Sequence, residues 1–403
     1  MIVFDDKKTN AFHPLTLNRS VGDLRCGILK LRQRLQYLLS DNEPGIWIDP
    51  SLEDLYKVRH PDWQINGAPS GEALHVNSRL KIEAKSLEAV RSIGVGDCLY
   101  SKDVLIAFRA KKTVTSLPEI EDLESQGYNL ISSQVETYDN LSDLIHDNGR
   151  MLCFDFEELF YEKDNYFETE PGVTTLNPYN IWIAENVQLK PGVVLDASDG
   201  PIVLDEGVSI LPNAVVLGPA YIGKNTLVKV GAKIYPNTSI GPVCKIGGEI
   251  EGSIFQAYTN KQHDGFLGHS YVGEWVNIGA DTNNSDLKNT YKNVKFHSYR
   301  DMGKIDSGSM FLGALIADHV KLGINASLNT GCVIGLGSNL WGSDLIADFI
   351  PDFSWGMASK LGRHRFDAFC ETARIMKQRR GLTLSTAEKN LYQELYEKLQ
   401  EQK

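Results

Sequence analysis

The chain has 403 residues, 42% of them hydrophobic and 23% charged, and a formal net charge of −11. That length exceeds one ordinary core, so two domains and an appendage are expected, and no apolar run is long enough to span a bilayer. The acidic balance argues against non-specific nucleic-acid binding, which rests on neutralised phosphates; a small anion needs only a local basic pocket.

The first residues, MIVFDDKKTN, lack the basic-then-apolar pattern of a secretory signal, so a cytoplasmic protein is expected. Six cysteines (Cys26, Cys98, Cys153, Cys244, Cys332 and Cys370) are scattered without a CxxC pair, which reads as reduced and mostly buried thiols. Ile2-Val3-Phe4 reads as a buried strand followed by a polar loop, residues 5–25. Ile28, Leu31, Leu35, Leu38 and Leu39 then fall on one helix face. Strand-like runs at 45–48 and 104–108 alternate with helical stretches. Residues 1–165 are therefore expected to form an α/β domain with a largely parallel sheet. Such sheets bind ligands at the carboxyl ends of their strands, which makes the loop at 5–25 a pocket wall.

From about Ile181 the sequence turns periodic in sixes. The same place of each hexad holds Ile183, Leu189, Leu195, Leu204, Ile210, Val216, Ile222, Val228, Ile234, Ile240 and Ile246, and the corner places collect Pro, Gly and Asn. Three short strands per coil make a triangular prism with the aliphatic residue pointing in. No coil buries its face alone, so coils stack into a parallel β-helix, here spanning residues 175–355. The register returns at Val272 and Ile278, breaks over an irregular segment at about 281–300, and resumes at Met310, Ile316, Leu322, Leu328 and Ile334. A polar excursion from a solenoid must run over its surface, where such segments are often functional. Residues 356–403 form the tail: helices are expected at 366–380 and 385–402, with Gly381 as the break. They would cap the last coil's open edge.

The segment from Lys261 to Asn289 carries the chemistry. His263-Asp264-Gly265-Phe266-Leu267-Gly268, continuing to Trp275-Val276-Asn277-Ile278-Gly279-Ala280, resembles the bacterial bifunctional N-acetylglucosamine-1-phosphate uridyltransferase/glucosamine-1-phosphate acetyltransferase family. It looks closest to a divergent branch found in Bacteroidetes-type bacteria. The resemblance covers about residues 181–337 and implies a left-handed β-helix. It also implies acetyl-CoA as cosubstrate, His263 as the base that deprotonates the attacking amine, and Asn277 as its active-site partner. Histidine suits that task because its proton is exchanged near neutrality. Lys261, Lys288 and Lys292 are candidates for the sugar phosphate. Ala280, Ser309 and Thr330 would meet the acetyl-CoA arm, and amides near Gly279-Ala280 would stabilise the oxyanion.

The chain departs from the family at Phe266, where the family has Tyr; Tyr271 is the candidate substitute. Asp281 replaces a Gly, and the run Thr282-Asn283-Asn284-Ser285 keeps the loop's amides, with Asn283 and Asn284 as substrate contacts. His269 misses the motif's spacing and reads as a surface or structural residue. His263, His269 and His297 also invite a zinc reading, but their spacing does not match. No metal ligand is assigned.

In the N-terminal part the glycine-rich phosphate loop of ordinary sugar nucleotidyltransferases is missing. His13-Pro14-Leu15-Thr16-Leu17-Asn18-Arg19 and Asp23-Leu24-Arg25 resemble the tail of that signature. Thr16, Arg19, Arg25 and Asn66 are the nucleotide-binding candidates, the arginines because a guanidinium forks onto phosphate. The plain alternative for both arginines is a salt bridge holding the loop. Asn66-Gly67-Ala68-Pro69 stands where the family has Gly-Asp-Val-Pro, so Ala68 replaces the Asp that binds Mg²⁺. Asp5, Asp6 or Asp49 would have to compensate.

The expected function is acetylation of glucosamine-1-phosphate coupled to uridylyl transfer from UTP with Mg²⁺. The alternatives are an acetyltransferase whose N-terminal domain only binds a nucleotide sugar, and a non-catalytic scaffold. The resemblance also implies a homotrimer acting on small molecules, with no nucleic-acid or membrane partner.

Overall fold

The computed structural model describes residues 1–39, 45–67, 71–165 and 171–401. Ala68 and Pro69, singled out above, lie outside them.

The N-terminal part is a seven-stranded mixed sheet. Its strands are β1 (Ile2–Phe4), β2 (Gly45–Trp47), β3 (Gln64–Ile65), β4 (Leu74–Asn77), β5 (Asp97–Ser101), β6 (Val104–Arg109) and β7 (Asn129–Ser132), in the order β3-β2-β1-β4-β6-β5-β7. β6 runs antiparallel to both β4 and β5, and every other pair is parallel. Helices α1 (Leu31–Leu38), α2 (Glu53–Arg59), α3 (Ala84–Ser92), α4 (Ile120–Ser125) and α5 (Leu141–Leu159) accompany it. The longest, α5, starts at Asn140, whose side chain accepts the Ser142 N–H as a cap. Its buried stripe (Leu141, Leu144, Ile145, Leu152, Phe156) follows helical spacing.

The rest of the chain is the left-handed parallel β-helix. One face has ten strands, from Gln188–Leu189 to Lys360–Arg363. A second has nine, from Ile181–Ile183 to Phe349–Ile350. The third is a six-stranded sheet from Thr174–Leu176 to Phe266–Gly268, followed by Asn283–Asn284, Ser327–Leu328 and Leu345–Ile346. Among the described residues the inter-coil pairs are parallel, and the terminal hairpin Ser354–Met357 with Lys360–Arg363 is antiparallel. The expected inward residues form one buried cluster, among them Ile183, Leu195, Leu204, Ile210, Ile222 and Ile246.

Coiling begins at Thr174–Leu176, before the periodicity is visible in the sequence, because backbone pairing to Val194–Asp196 does not need the hexad's aliphatic residue. Two expectations need correction. The excursion leaves later and is more ordered than expected. Asn283–Asn284 still pairs with Ser327–Leu328, and the departing segment holds a hairpin of Lys295–Ser298 with Gly303–Asp306. Met310 is not an inward residue: it is 42% exposed on the excursion's return, and the register resumes at Leu315–Ile316.

The N-terminal part packs on the nine-stranded face. Outward residues Ile254, Tyr271, Leu315 and Val333 of that face share one cluster with Val3, Val76, Ile106 and Leu144. Val203 and Tyr221 meet Ile28, Leu152 and Phe156 in the same way. Helices α6 (Phe366–Gln378) and α7 (Thr386–Glu401) close the last coils, where Phe369, Cys370 and Tyr392 join the prism's own core.

Candidate functional site

Two successive coils bring the motif together. Asn260 on the ten-stranded face pairs in register with Asn277 one coil on. The chain then turns the prism's corner twice, once at 262–265 and once at 279–282. The corners stack: the Asp281 N–H donates to Asp264 O at 3.0 Å. His263 is exposed on the lower corner, and Asn277 is half-buried at the start of the upper one. Beyond the corner, Asn283 lies over Phe266 and its Oδ1 accepts the Phe266 N–H at 2.7 Å. His263, Phe266, Asn277, Ala280 and Asn283 therefore share one edge of the prism. Gly279 N–H is already committed to Leu322 O at 3.0 Å. Among the described residues, Ala280 N–H has no acceptor, so it is the amide of that pair available to an incoming oxygen.

Other candidates lie elsewhere, for physical reasons. Lys261 occupies the aliphatic column of the ten-stranded face, next in line to Ile246, so its side chain points into the prism. It is 1% exposed, and Nζ donates to Gly247 O, His263 O and Gly265 O at 3.3, 3.1 and 2.6 Å. That uses all three of its donors on the corner's backbone and none on a substrate. Burial lowers its pKa to about 8. Asn284 also points inward, with Oδ1 accepting Gly268 N–H at 2.8 Å and Nδ2 donating to Gly268 O at 3.0 Å. Tyr271 cannot replace the missing tyrosine hydroxyl: it is fully buried, and its OH is tied to Arg25 N and Arg25 O at 2.8 and 2.9 Å. Lys288 is on the excursion, its Nζ donating to Asn293 O at 3.2 Å, and Lys292 is exposed beside it. Ser309 accepts the Val294 N–H at 2.8 Å, and Gly331, next to the buried Thr330, packs on the same valine. Ala280 sits at a different corner, so the three expected coenzyme contacts are not brought together.

His269, read from its spacing as a surface or structural residue, has a carboxylate partner. Its Nδ1 is 2.8 Å from Asp286 Oδ2, and its ring lies 5.1 Å from that of Phe311. Asp286 stands one coil further along the chain, so the signal is the coil period and not the motif. An orienting carboxylate is a feature of histidines that move protons. His297 belongs to the excursion hairpin and stacks on Phe349 at 3.9 Å. Among the described residues, no group of three or more His, Cys, Asp or Glu is placed to hold a metal.

In the N-terminal part, Arg19 is 2% exposed, paired with Asp318 and, at 3.6 Å, with Glu274. Arg25 donates to Ile28 O and lies 5.1 Å over the Tyr221 ring. Thr16 bonds His13 and Thr9 O, and Asn66 staples Ile48 N–H to Glu53 from a left-handed backbone position. As placed, these four hold the loop and the domain contact. An open cavity of about 580 Å³ lies instead beyond the carboxyl ends of β1 and β4, lined by Lys8, Lys81, Lys102, Glu136, Asp139 and Asp147. The basic residues just after each strand are the signal that could have found it.

Mg²⁺ does not fit the acidic residues offered for it. Asp5 accepts from Ser20, Ser78 and the Val21 N–H, and burial raises its pKa to about 6. Asp6 is taken by Arg79, Asn77 and the Lys8 N–H. Asp49 caps the turn at Ser51.

Residues 1–163 match the family model described as sugar nucleotidyl transferase. The bifunctional protein GlmU of Thermotoga sp. (strain RQ2) is 25% identical over 309 residues, 69% of this chain and 62% of the relative. GlmU of Synechococcus elongatus is 26% identical over 247 residues, 56% of this chain and 50% of the relative. The chain thus spans half to three-fifths of the length of these curated relatives. Among solved structures, LpxA of Bacteroides fragilis, a UDP-N-acetylglucosamine acyltransferase, covers 54% of this chain and 79% of its own at 17% identity and a TM-score of 0.33. No helix among the described residues is long and apolar enough to cross a membrane.

Proposed function

We propose that this chain, a divergent member of a GlmU-like family, transfers the acetyl group of acetyl-CoA to the amine of an amino-sugar phosphate, glucosamine-1-phosphate, at the His263–Asn277 edge. The observation that carries this reading is the register of Asn260 with Asn277, which stacks the corner bearing His263 under the corner bearing Ala280. The amine lone pair adds to the thioester carbonyl, His263 takes the amine proton, and the C–S bond breaks to release CoA. Ala280 N–H faces the carbonyl oxygen as it gains charge, and Asn277 orients the sugar.

The N-terminal part is read as the uridylyl-transfer domain that accepts the acetylated sugar phosphate and UTP. Its support is the sugar nucleotidyl transferase match and the cavity at the strand ends. No metal-assisted step is assigned to Asp5, Asp6 or Asp49, whose carboxylates are already engaged. A homotrimer in the cytoplasm completes the proposal, with light scattering as the test of assembly.

A second reading is favoured by the His269–Asp286 pair, which would make His269 the base. Purified protein is given glucosamine-1-phosphate, acetyl-CoA, UTP and Mg²⁺, and CoA and pyrophosphate are followed separately. His263→Ala is expected to lose on the order of 10²-fold or more in CoA release, while His269→Ala stays within a few-fold. The reverse ranking would move the base to His269. CoA without pyrophosphate would make the N-terminal domain a binding module.

A further inference from the structure

The outer surface of the ten-stranded face carries a second feature that the motif does not use. Lys245, Asn260, Asn277 and Lys321 stand in register on successive coils, pointing outward. Beside them Tyr258 stacks on Trp275 at 4.3 Å and 3°. The carboxyl end of α6 lies over this ladder and adds Arg379 and Arg380. A cleft of about 260 Å³ remains between them, with Asn277 in its wall.

The charges of this cleft are not neutralised by a paired carboxylate. Lys245, Lys321, Arg379 and Arg380 converge on it, yet among the described residues none is in an ion pair with a carboxylate. The chain as a whole carries −11, so carboxylates are plentiful elsewhere. A helix carboxyl terminus favours cations nearby, which accounts for the arginines being tolerated but not for the lysines facing them. The arrangement is held in place: Arg380 donates to Asn260 Oδ1 at 3.1 Å, and Lys321 Nζ donates to Trp275 O and His319 O at 2.8 and 3.0 Å. Lys321 is pressed down to about 7 by burial, so a bound anion would hold its proton more firmly. Forked guanidinium donors beside lysines suit phosphate oxygens.

We propose that this cleft is a phosphate-binding subsite that seats the phosphate of a pyranose-sized ligand and turns the sugar toward Asn277. Its volume of about 260 Å³ lies just below the usual range of small-molecule pockets, which suits one sugar ring and its phosphate and is too small for a whole coenzyme A. The half-buried Tyr258 ring, stacked on the buried Trp275, gives the sugar an apolar surface. The role of Asn277 in this inference rests on the acetyl-transfer reading; the binding of the anion does not.

The test is calorimetric titration of the full chain with glucosamine-1-phosphate, glucosamine and CoA, each without turnover. The sugar phosphate is expected to bind and glucosamine to bind at least tenfold more weakly. The pair Arg379→Ala/Arg380→Ala is expected to weaken the sugar phosphate tenfold or more, and Lys245→Ala to do so separately in case the first variant disturbs α6. Arg374→Ala, on the same helix but paired with Glu371 away from the cleft, should change nothing. Sugar-phosphate affinity unchanged in both cleft variants, or absent in the wild type, overturns the proposal. Loss of CoA affinity alone assigns the phosphate site to the coenzyme and overturns it equally. Cleft-dependent binding without CoA release by the wild type would sink the acetyl-transfer reading and leave the subsite standing.

Discussion

At the scale of single residues, inward or outward direction decides what a side chain can do. Lys261 and Asn277 both lie in the matched segment and both have hydrogen-bonding side chains, but one points into the prism and the other out of it. Lys261 is consequently a structural ammonium bound to three corner carbonyls. Its folded pKa of about 8 lies below the unfolded lysine value of 10.5, so the unfolded chain binds more protons between those values. Stability is therefore expected to rise with pH from about 8 to 10.5 on its account, by on the order of 3 kcal/mol across the window. The difference between wild type and Lys261→Met in urea melts at pH 7.5 and 10 should show that slope; parallel profiles would mean that Lys261 is not perturbed. The exposed corner position of His263 was legible from its motif and the coil period. His269 was not, because its partner Asp286 is a neighbour only through the coil.

At the scale of elements, the hexad pattern prescribed the β-helix almost residue by residue, since each coil repeats the same demand for one buried aliphatic side chain. It failed at the edges of the pattern. The first coil at Thr174–Leu176 hydrogen-bonds without the aliphatic signature, and Met310 matched the spacing by coincidence. The tail helices were legible as helices that cap the last coil, but the residues they insert into it were not. Phe369 of α6 reaches the prism's core, where it meets Phe353 at 5.1 Å and Tyr392 at 5.4 Å. Phe369→Ala is expected to destabilise the chain by about 3–5 kcal/mol through the cavity it leaves. Thermal or urea unfolding measures this; a loss below about 1 kcal/mol would show the cap to be loosely attached.

At the scale of the whole molecule, the two large parts share apolar surface, and a buried ion pair ties the N-terminal loop to the β-helix. Arg19 and Asp318 are each 2% exposed, and Asn18 adds a 2.9 Å bond to the same carboxylate. Removing Asp318 takes away Arg19's close partner and leaves only Glu274, at 3.6 Å, to offset a buried charge. Asp318→Ala is expected to lower stability by about 3–5 kcal/mol, and Arg19→Met/Asp318→Leu to recover much of it. Equilibrium urea unfolding compares the three; a double variant as weak as the single one would mean that the pair contributes more than its own neutralisation. This network is also why Arg19, read as a phosphate ligand from sequence, is out of reach: Asp318, which holds it, is 299 positions away in the chain. Arg25 is held instead by Ile28 O and the Tyr221 ring.

The sequence by itself determined the coil, because a hexad periodicity is a local property that each turn of the prism must satisfy. It also determined the motif on the prism's edge, because a fixed coil length converts spacing into position. Only the tertiary structure decided which face the N-terminal part would cover, that Tyr271, Arg19 and Arg25 would be consumed by that contact, and that α6 would return to roof a basic cleft beside Asn277. These depend on meetings between surfaces distant in the chain, and no local repeat encodes them.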